Sequence, residues 1–266
     1  MRKPLIVIKL GGSALTDKRR IFTPRIKEIH RAAEQVAQLS KRFSLVVVHG
    51  AGSYGHIPVR EWRLESGLSS RRQLKGLAAT KSKLLEWEGI FDQIFLDHQI
   101  PLIPFLASDF VVTRKGRIFS ADLRPVKNWL SINCVPSTGG DIVSDRNNGF
   151  SVLSGDQLST YLAVQLKASR LIFGTDVDGI FTSDPKHDPH ARIIKELTSS
   201  TAIHAASRAR VSDIPDVTGG MAGKIIEGAR AASNGIPVYF VNLTVGNRLA
   251  NVALNREVVC SKILPS

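Results

Sequence analysis

The sequence predicts an α/β fold, an open αβα sandwich in which helices cover both faces of a mainly parallel central sheet. Three observations lead to this prediction. Short apolar runs are typical of buried strands, amphipathic segments of helical length lie between them, and glycine-rich turns follow several of the runs. The 266 residues suffice for a sizeable core in one domain, 1–266, with an N-terminal lobe of about 1–150 and a C-terminal lobe of about 151–266.

The first half of the chain alternates predicted strands and helices. Leu5–Leu10 is an almost continuous apolar run, as in a strand buried on both faces. Over residues 24–41 apolar residues recur at helical spacing, and Pro24 suits a first helical turn. The Asn-Gly pair within 147–149 predicts a hairpin turn. The other elements expected here are strands at 45–48 and 102–106, one or two helices over 70–97, and a hairpin at 110–119 that turns at Lys115-Gly116.

The second half resumes the same alternation without an internal repeat. Helices are predicted at 156–167 and 221–234, and strands at 171–173 and 237–241. Helices between buried strands favour a parallel sheet, and ligands in such sheets bind at the carboxyl ends of the strands. We therefore examine the residues that follow each predicted strand.

Composition excludes several classes of protein. The chain is 43% hydrophobic and 22% charged, as in ordinary soluble domains, and no apolar run approaches the length of a membrane span. Its two cysteines, Cys134 and Cys260, exclude a disulfide scaffold and suggest no zinc site, so we expect a reducing, cytoplasmic compartment.

The net charge of +13 is the unusual number, and it fits an anionic ligand or nucleic acid. The basic residues are scattered, however, and the tightest groups, at 18–20 and 71–72, have no aromatic neighbours on which bases could stack. This distribution does not favour nucleic acid as a partner.

The first glycine-rich turn, residues 9–13, follows the first strand directly. Gly11 and Gly12 let the backbone approach a phosphate closely, although the segment matches neither the GxGxxG nor the GxxxxGK[ST] motif. Lys9 lies inside an apolar strand, where a charge is costly unless it faces a site. The alternative is a lysine that extends to the sheet edge.

The second turn, residues 49–56, follows the second strand and contains three glycines. Such a loop at a helix start can hold an anion, and His56 lies one step beyond it. A histidine is more often structural or solvated, but this position makes His56 a candidate.

Four further segments carry glycines or acids at predicted strand or helix ends. Those at 139–141 and 154–157 are explained equally well as turns and helix caps. The acids within 174–185 suit magnesium, a ribose or turns. The segment 218–224 could deliver Lys224 to a phosphate, or be a plain helix start.

The order of these motifs resembles the amino acid kinase family, from Lys9 to Lys224 and on to the last strand. Its members share a lysine-glycine-glycine start, a glycine-rich second loop, a TDVDG strand end and a late GGM-x-x-K. His56 and the Thr16-Asp17-Lys18 step look like the isopentenyl phosphate kinases of this family, and the related fosfomycin kinases carry the histidine too. The resemblance implies ATP-dependent phosphorylation of isopentenyl phosphate to isopentenyl diphosphate, in isoprenoid biosynthesis by the mevalonate pathway.

The resemblance also implies site residues. The acceptor would bind in the N-terminal lobe and ATP in the C-terminal lobe, with Mg²⁺ on the ATP phosphates rather than on protein ligands, in a homodimer. The catalytic residues implied are Lys9, Lys18 and His56, and the acceptor-binding residues are Ala51, His56 and Gly155. The ATP-binding residues implied are Lys9, Gly11, Gly12, Ser13, Gly52, Asp176, Phe181, Thr182, Ser183, Asp184, Pro185, Lys186, Gly220 and Lys224.

The chain departs from the family's motifs at two places, and the segment 57–60 and the helix from Ser70 follow the family only loosely. Gly139-Gly140 replaces the aromatic residue expected before Asp141, and Gln157 replaces a second acid. The helix from Ser70 is expected to line the pocket for the acceptor's tail with one or two of its bulky residues, the rest being core. The candidates are Leu77, Leu84, Leu85 and Phe91.

Two other functions remain open on the sequence. One is a kinase for another small phosphate or phosphonate, such as fosfomycin, whose pocket needs no apolar lining. The other is a nucleotide-sensing or nucleic-acid-binding protein on the same fold. Three lysines placed to face phosphates favour turnover, and the sequence shows no obvious general base, which agrees with a phosphate acceptor that is already ionised at neutral pH.

Overall fold

A computed structural model describes residues 3–17, 20–208 and 220–266. The elements up to the second hairpin are β1 (Leu5–Leu10), α1 (Gly12–Leu15), α2 (Ile26–Ser40), β2 (Ser44–His49), α3 (Ser53–Glu61), α4 (Arg72–Asp97), β3 (Leu102–Phe105), α5 (Ala107–Phe110), β4 (Val111–Arg114), β5 (Arg117–Ala121), α6 (Arg124–Ser131), β6 (Val135–Gly139), β7 (Asp141–Asp145) and β8 (Gly149–Leu153).

The elements that follow are α7 (Gly155–Gln165), β9 (Arg170–Thr175), β10 (Ile180–Phe181), β11 (Ile193–Ile194), β12 (Glu196–Thr198), α8 (Ser199–Arg208), α9 (Gly220–Ser233), β13 (Val238–Asn242), α10 (Arg248–Ala253) and β14 (Ser261–Leu264). Within the described ranges, no helix combines the length and apolar character needed to cross a membrane.

The central sheet has eight strands in the order β12-β14-β13-β9-β1-β2-β6-β3. All neighbouring strands in it are parallel except β13 and β14. Leu10, the last residue of β1, lies opposite His49 of β2 and Gly174 of β9, and His49 lies opposite Gly139 of β6. The carboxyl ends of these strands are therefore level, so the turns that follow them meet at one edge of the sheet.

Helices pack on both faces of this sheet, which confirms the predicted sandwich. Side chains of β1 alternate between two buried clusters: Ile6 and Ile8 join one cluster with α2, α4 and α10, while Val7 joins the other with α7, α8 and α9. A strand buried on both faces needs apolar residues at every position, which is why β1 is an almost continuous apolar run.

A second sheet of four strands, in the order β5-β4-β7-β8, contains both predicted hairpins. Lys115 and Gly116 have positive φ angles of 50° and 74°, as a tight two-residue turn requires. The first hairpin starts one residue later than predicted. Residues 107–110 form the helical turn α5, because the N–H of Ser108 donates to the Asp141 carboxylate at 3.0 Å.

The other predicted strands and helices are present, with ends shifted by a few residues. The segment 70–97 holds one helix, α4. β6, which lies next to the edge strand β3, was not predicted, because Val135–Gly139 contains proline, serine, threonine and glycine in place of an apolar run. Its neighbours β2 and β3 determine its conformation through their backbone hydrogen bonds.

Candidate active site

A cleft of about 620 Å³, in part open to solvent, lies at the carboxyl ends of β1, β2 and β6. We call one part the polar end, defined by Lys9, Gly12, Ser13, Ala51, His56, Gly155, Asp156 and Lys224. We call the other part the apolar end, defined by Val59, Leu84, Ile142 and Val152.

Two lysines and one aspartate form the core of the polar end. Lys9 Nζ lies 2.7 Å from Asp156 Oδ1, and Lys224 Nζ lies 3.1 Å from Asp156 Oδ2. Burial alone raises the pKa of Asp156, but the two lysines more than compensate and lower its pKa. Asp156 is therefore a carboxylate that holds two ammonium groups side by side at the cleft. Phosphate oxygens entering there would meet both positive charges.

The glycines of the first two turns allow these turns to touch. A Cβ on Gly12 would lie 2.7 Å from the backbone nitrogen of Gly52, and one on Gly11 would lie 2.6 Å from the carbonyl oxygen of Gly174. Gly52 has a φ of +51°, and Thr16 occupies the space that its side chain would need. Thr16 Oγ1 also accepts from the N–H of Ser53 at 3.0 Å. The turns thus bring backbone N–H groups close to the cleft.

His56 lies in the first turn of α3 and lines the cleft together with Ala51 and Gly155. Its backbone N–H donates to Gly52 at 3.0 Å, which fixes the start of the helix on the second glycine-rich turn. His56 is half-buried. The structure therefore places His56 and Ala51 in the lining of one cleft.

Asp176 and Lys186 form a second charged group beside the first turn. Ser13 Oγ donates to Asp176 at 3.1 Å, and Lys186 Nζ lies 2.7 Å from the same carboxylate. Burial raises the pKa of Asp176, but the hydrogen bonds and charge from Lys186, helped by Ser13, lower it overall. Because Ser13 also lines the cleft, this group lies next to the polar end.

The remaining predicted residues fall into three groups. Phe181 ends β10, and Thr182, Ser183, Asp184 and Pro185 follow it in a loop; none of these five lines the cleft. Gly220 begins α9, and its carbonyl oxygen lies 3.4 Å from Lys224 Nζ. Lys18 lies outside the described residues.

A family comparison identifies this arrangement. The family model described as "Amino acid kinase family" matches residues 4–242. The chain belongs to the amino acid kinase family.

Relatives of this amino acid kinase are named isopentenyl phosphate kinase. The protein from Methanothermobacter thermautotrophicus is 34% identical over 97% of this chain and 98% of its own. That from Methanocaldococcus jannaschii is 30% identical over 83% of this chain and 85% of its own. A solved isopentenyl phosphate kinase structure superimposes with a TM-score of 0.84 at 31% identity, covering 97% of this chain and 99% of the other.

The apolar end of this kinase was only partly predicted. Of the four residues singled out on α4, Leu84 lines the cleft, whereas Leu85 is 52% exposed and Phe91 is buried in the core. Leu77 packs against the small cluster of Val59 and Ile142 instead. One of the four candidates, Leu84, therefore lines the cleft, which is within the one or two expected. Phe91 belongs to the core as the rest were expected to, whereas the helix turns Leu85 towards solvent.

Sequence reasoning missed two further features. Val59, Ile142 and Val152 come from α3, β7 and β8, and each is a single apolar residue without a motif. Asp141, which the sequence explained as a turn, lines the cleft and pairs with Lys81 at 2.7 Å. The glycine-rich turn at 139–141 could have drawn attention to Asp141, but no sequence motif marks Lys81.

Proposed function

We propose that this chain catalyses ATP-dependent phosphorylation of isopentenyl phosphate, giving isopentenyl diphosphate and ADP. The observation that carries the proposal is a single cleft with two lysines at its polar end and four aliphatic side chains at its apolar end. A phosphate monoester with a short hydrocarbon tail matches both ends. The relatives named isopentenyl phosphate kinase add support.

The reaction asks for positioning and charge neutralisation more than for a base. A phosphate monoester is largely dianionic at neutral pH, since its second pKa is about 6. One of its oxygens can therefore attack the γ-phosphorus of ATP directly, while the bond from that phosphorus to the ADP oxygen breaks. The obstacle is the meeting of two anions. Lys9 and Lys224 are placed to reduce this repulsion, and they cost no reorganisation because Asp156 already holds them.

The remaining roles are assigned as follows. His56, Ala51 and Gly155 hold the acceptor phosphate, and His56 donates a hydrogen bond to it. Lys18 stabilises the transferring phosphoryl group. The residues that bind ATP are Lys9, Gly11, Gly12, Ser13, Gly52, Asp176, Phe181 to Lys186, Gly220 and Lys224. In this assignment residues of about 1–150 form the acceptor lobe and about 151–266 the ATP lobe.

Mg²⁺ is proposed to bind through the ATP phosphates. In the described part of the chain, no three histidine, cysteine or acidic side chains converge as metal ligands. Mg²⁺ that keeps its waters and binds through the nucleotide would supply additional neutralisation of phosphate charge.

Three further assignments complete the proposal. The protein acts as a homodimer, in isoprenoid biosynthesis by the mevalonate pathway, and in the cytoplasm. Both cysteines are free thiols, which supports a reducing compartment.

The main alternative is a kinase for another small phosphate or phosphonate such as fosfomycin. The aliphatic side chains of Val59, Leu84 and Ile142 favour a hydrocarbon tail over a small polar acceptor. A non-enzymatic nucleotide-binding or nucleic-acid-binding protein on the same fold would not need this apolar end.

One assay tests the proposal against both alternatives. ADP release is coupled to a spectroscopic readout with isopentenyl phosphate, dimethylallyl phosphate, geranyl phosphate and fosfomycin as acceptors. We expect the highest kcat/KM with a five-carbon monophosphate. Preference for fosfomycin would establish the phosphonate alternative, and no acceptor-dependent ADP release would contradict a kinase of this class.

A further inference from the structure

A charged pair outside the polar end connects α4 to the cleft. Lys81 Nζ lies 2.7 and 2.8 Å from the two carboxylate oxygens of Asp141 and 2.8 Å from Ser108 Oγ. The backbone N–H groups of Ser108 and Ile142 donate to the same carboxylate at 3.0 and 2.7 Å. All three N–H donors of the ammonium group are therefore used, and each carboxylate oxygen accepts two hydrogen bonds. The pair is therefore a fully hydrogen-bonded unit.

Asp141 is an unexpected residue in a site that binds a phosphate. Its side chain is only 5% exposed, and it lines the cleft next to Gly140, whose N–H donates to the carbonyl of His49 at 3.1 Å. A buried carboxylate repels a dianion strongly, because little water screens the interaction. Removing one partner of a buried ion pair leaves the other charge uncompensated. Lys81 supplies the positive charge that makes Asp141 compatible with an anionic acceptor.

The same pair also holds the apolar end together. Leu84 lies one helical turn after Lys81, so both side chains are on the same face of α4. Ile142 follows Asp141 on β7. By joining α4 to β7, the pair keeps Leu84 and Ile142 on opposite elements of one pocket lining.

We propose that Lys81 is a positioning residue for the acceptor, which neutralises Asp141 inside the cleft and fixes α4 against β7. This inference rests on the proposed function, because it concerns the acceptor site of that reaction. It assigns Lys81 no contact with the reacting atoms.

The test compares the two single variants of the pair with the double variant. Lys81→Met leaves the Asp141 carboxylate unpaired in the cleft, and we expect the KM for isopentenyl phosphate to rise about tenfold or more, with the KM for ATP nearly unchanged. Asp141→Asn leaves no anion behind and should raise the acceptor KM much less. Lys81→Met combined with Asp141→Asn should recover most of what Lys81→Met loses. Lys81→Arg, which can still pair with the carboxylate, should also recover much of it.

Lys83→Met is the matched control. Lys83 lies on the same helix and pairs with Glu86 at 2.7 Å, but both side chains are well exposed, at 39% and 46%. Its removal should change neither KM. Melting temperatures of all variants show whether each is folded at the assay temperature. If Lys81→Met is not, the double variant carries the test, since it leaves no anion in the cleft: a rise of about tenfold or more in its acceptor KM overturns the inference.

The outcomes separate this inference from the proposed function. A wild-type chain that phosphorylates none of the acceptors overturns the proposed function, and with it the inference. If the wild type is active, the inference alone is overturned when Lys81→Met keeps the wild-type acceptor KM or raises both KM values equally. The same holds if the acceptor KM of Asp141→Asn rises as much as that of Lys81→Met, or if the double variant is no better than Lys81→Met. Any of these four results would make the pair a purely structural tie.

Discussion

The two ends of the cleft are assembled in different ways. The polar end is built from short segments at the carboxyl ends of β1 and β2 and at the starts of α7 and α9, each with its own local motif. The apolar end is built from single side chains of α3, α4, β7 and β8. Charge and close backbone approach require particular residue types at fixed spacing, whereas an apolar lining requires only volume. The residues of the polar end can therefore be recognised from local sequence motifs, whereas the residues of the apolar end come together only through tertiary packing.

Loss of a lysine at the polar end should have the largest effect. Lys9→Met should lower kcat about 10²–10³-fold, because it removes a fixed positive charge from the phosphates and leaves Asp156 with only Lys224. Steady-state kinetics with saturating ATP and isopentenyl phosphate measure this. Lys3→Met is the control, since Lys3 contacts the carbonyl of Ser40 and lies before β1. A kcat close to wild type would show that the polar end does not act as we propose.

His56 tests the acceptor side of the same end. His56→Ala should lower kcat/KM for isopentenyl phosphate roughly 30- to 150-fold, or about 2–3 kcal/mol, through loss of a hydrogen bond to a charged group. The KM for ATP should barely change. His56→Gln, which keeps a donor, should lose less. Activity of His56→Ala within about twofold of wild type would contradict the acceptor assignment.

The contrast between the ends also explains what could be predicted from sequence. Lys9, the glycine turns and Lys224 follow strands or begin helices, so their placement at one edge of the sheet follows from the fold class alone. Lys81 and Val59 carry no local signal. Tertiary packing alone brings Val59 into the cleft lining and Lys81 into contact with Asp141, which lines the cleft. β6 was missed for the same reason, since its neighbours rather than its own residues make it a strand.

A change at the apolar end should alter selectivity more than rate. Leu84→Ala enlarges the cleft and should raise the kcat/KM for geranyl phosphate relative to isopentenyl phosphate, with a gain of at most about 0.8 kcal/mol per added buried methylene. Kinetics with both acceptors, beside thermal melts, measure the shift.

Phe91→Ala is the matched control for Leu84→Ala. Phe91 lies on the same helix but is fully buried against His49 and Phe95, so its loss should cost about 3–5 kcal/mol of stability without changing chain-length preference. If both variants lose stability and neither changes the preference, chain length is determined outside α4.

The smallest expected effect concerns Asp92, a half-buried acid on α4 that interacts electrostatically with Glu88 and His49. Asp92 lies on α4 near Glu88, and Glu88 accepts a hydrogen bond from His49 Nε2 at 2.8 Å. His49 comes immediately before Gly50 in the second glycine-rich turn. Burial raises the pKa of Asp92 to about 7, the negative charge of Glu88 adds to this, and His49 opposes it. Within the described part of the chain, Asp92 Oδ1 is buried without a hydrogen-bond partner, as suits a neutral acid better than a carboxylate.

The sign of the pH dependence follows from this raised pKa. The folded chain holds the Asp92 proton more tightly than the unfolded chain, in which the pKa of Asp92 is near 3.8. The contribution of this proton to the free energy of unfolding is therefore complete below about pH 4, and it is lost as the pH rises towards 7. Asp92→Asn resembles the protonated acid at every pH. We therefore expect the wild-type melting temperature to fall relative to that of Asp92→Asn between about pH 5 and pH 8. If the difference between the two melting temperatures stays constant over that range, Asp92 is ionised throughout and its pKa is not raised.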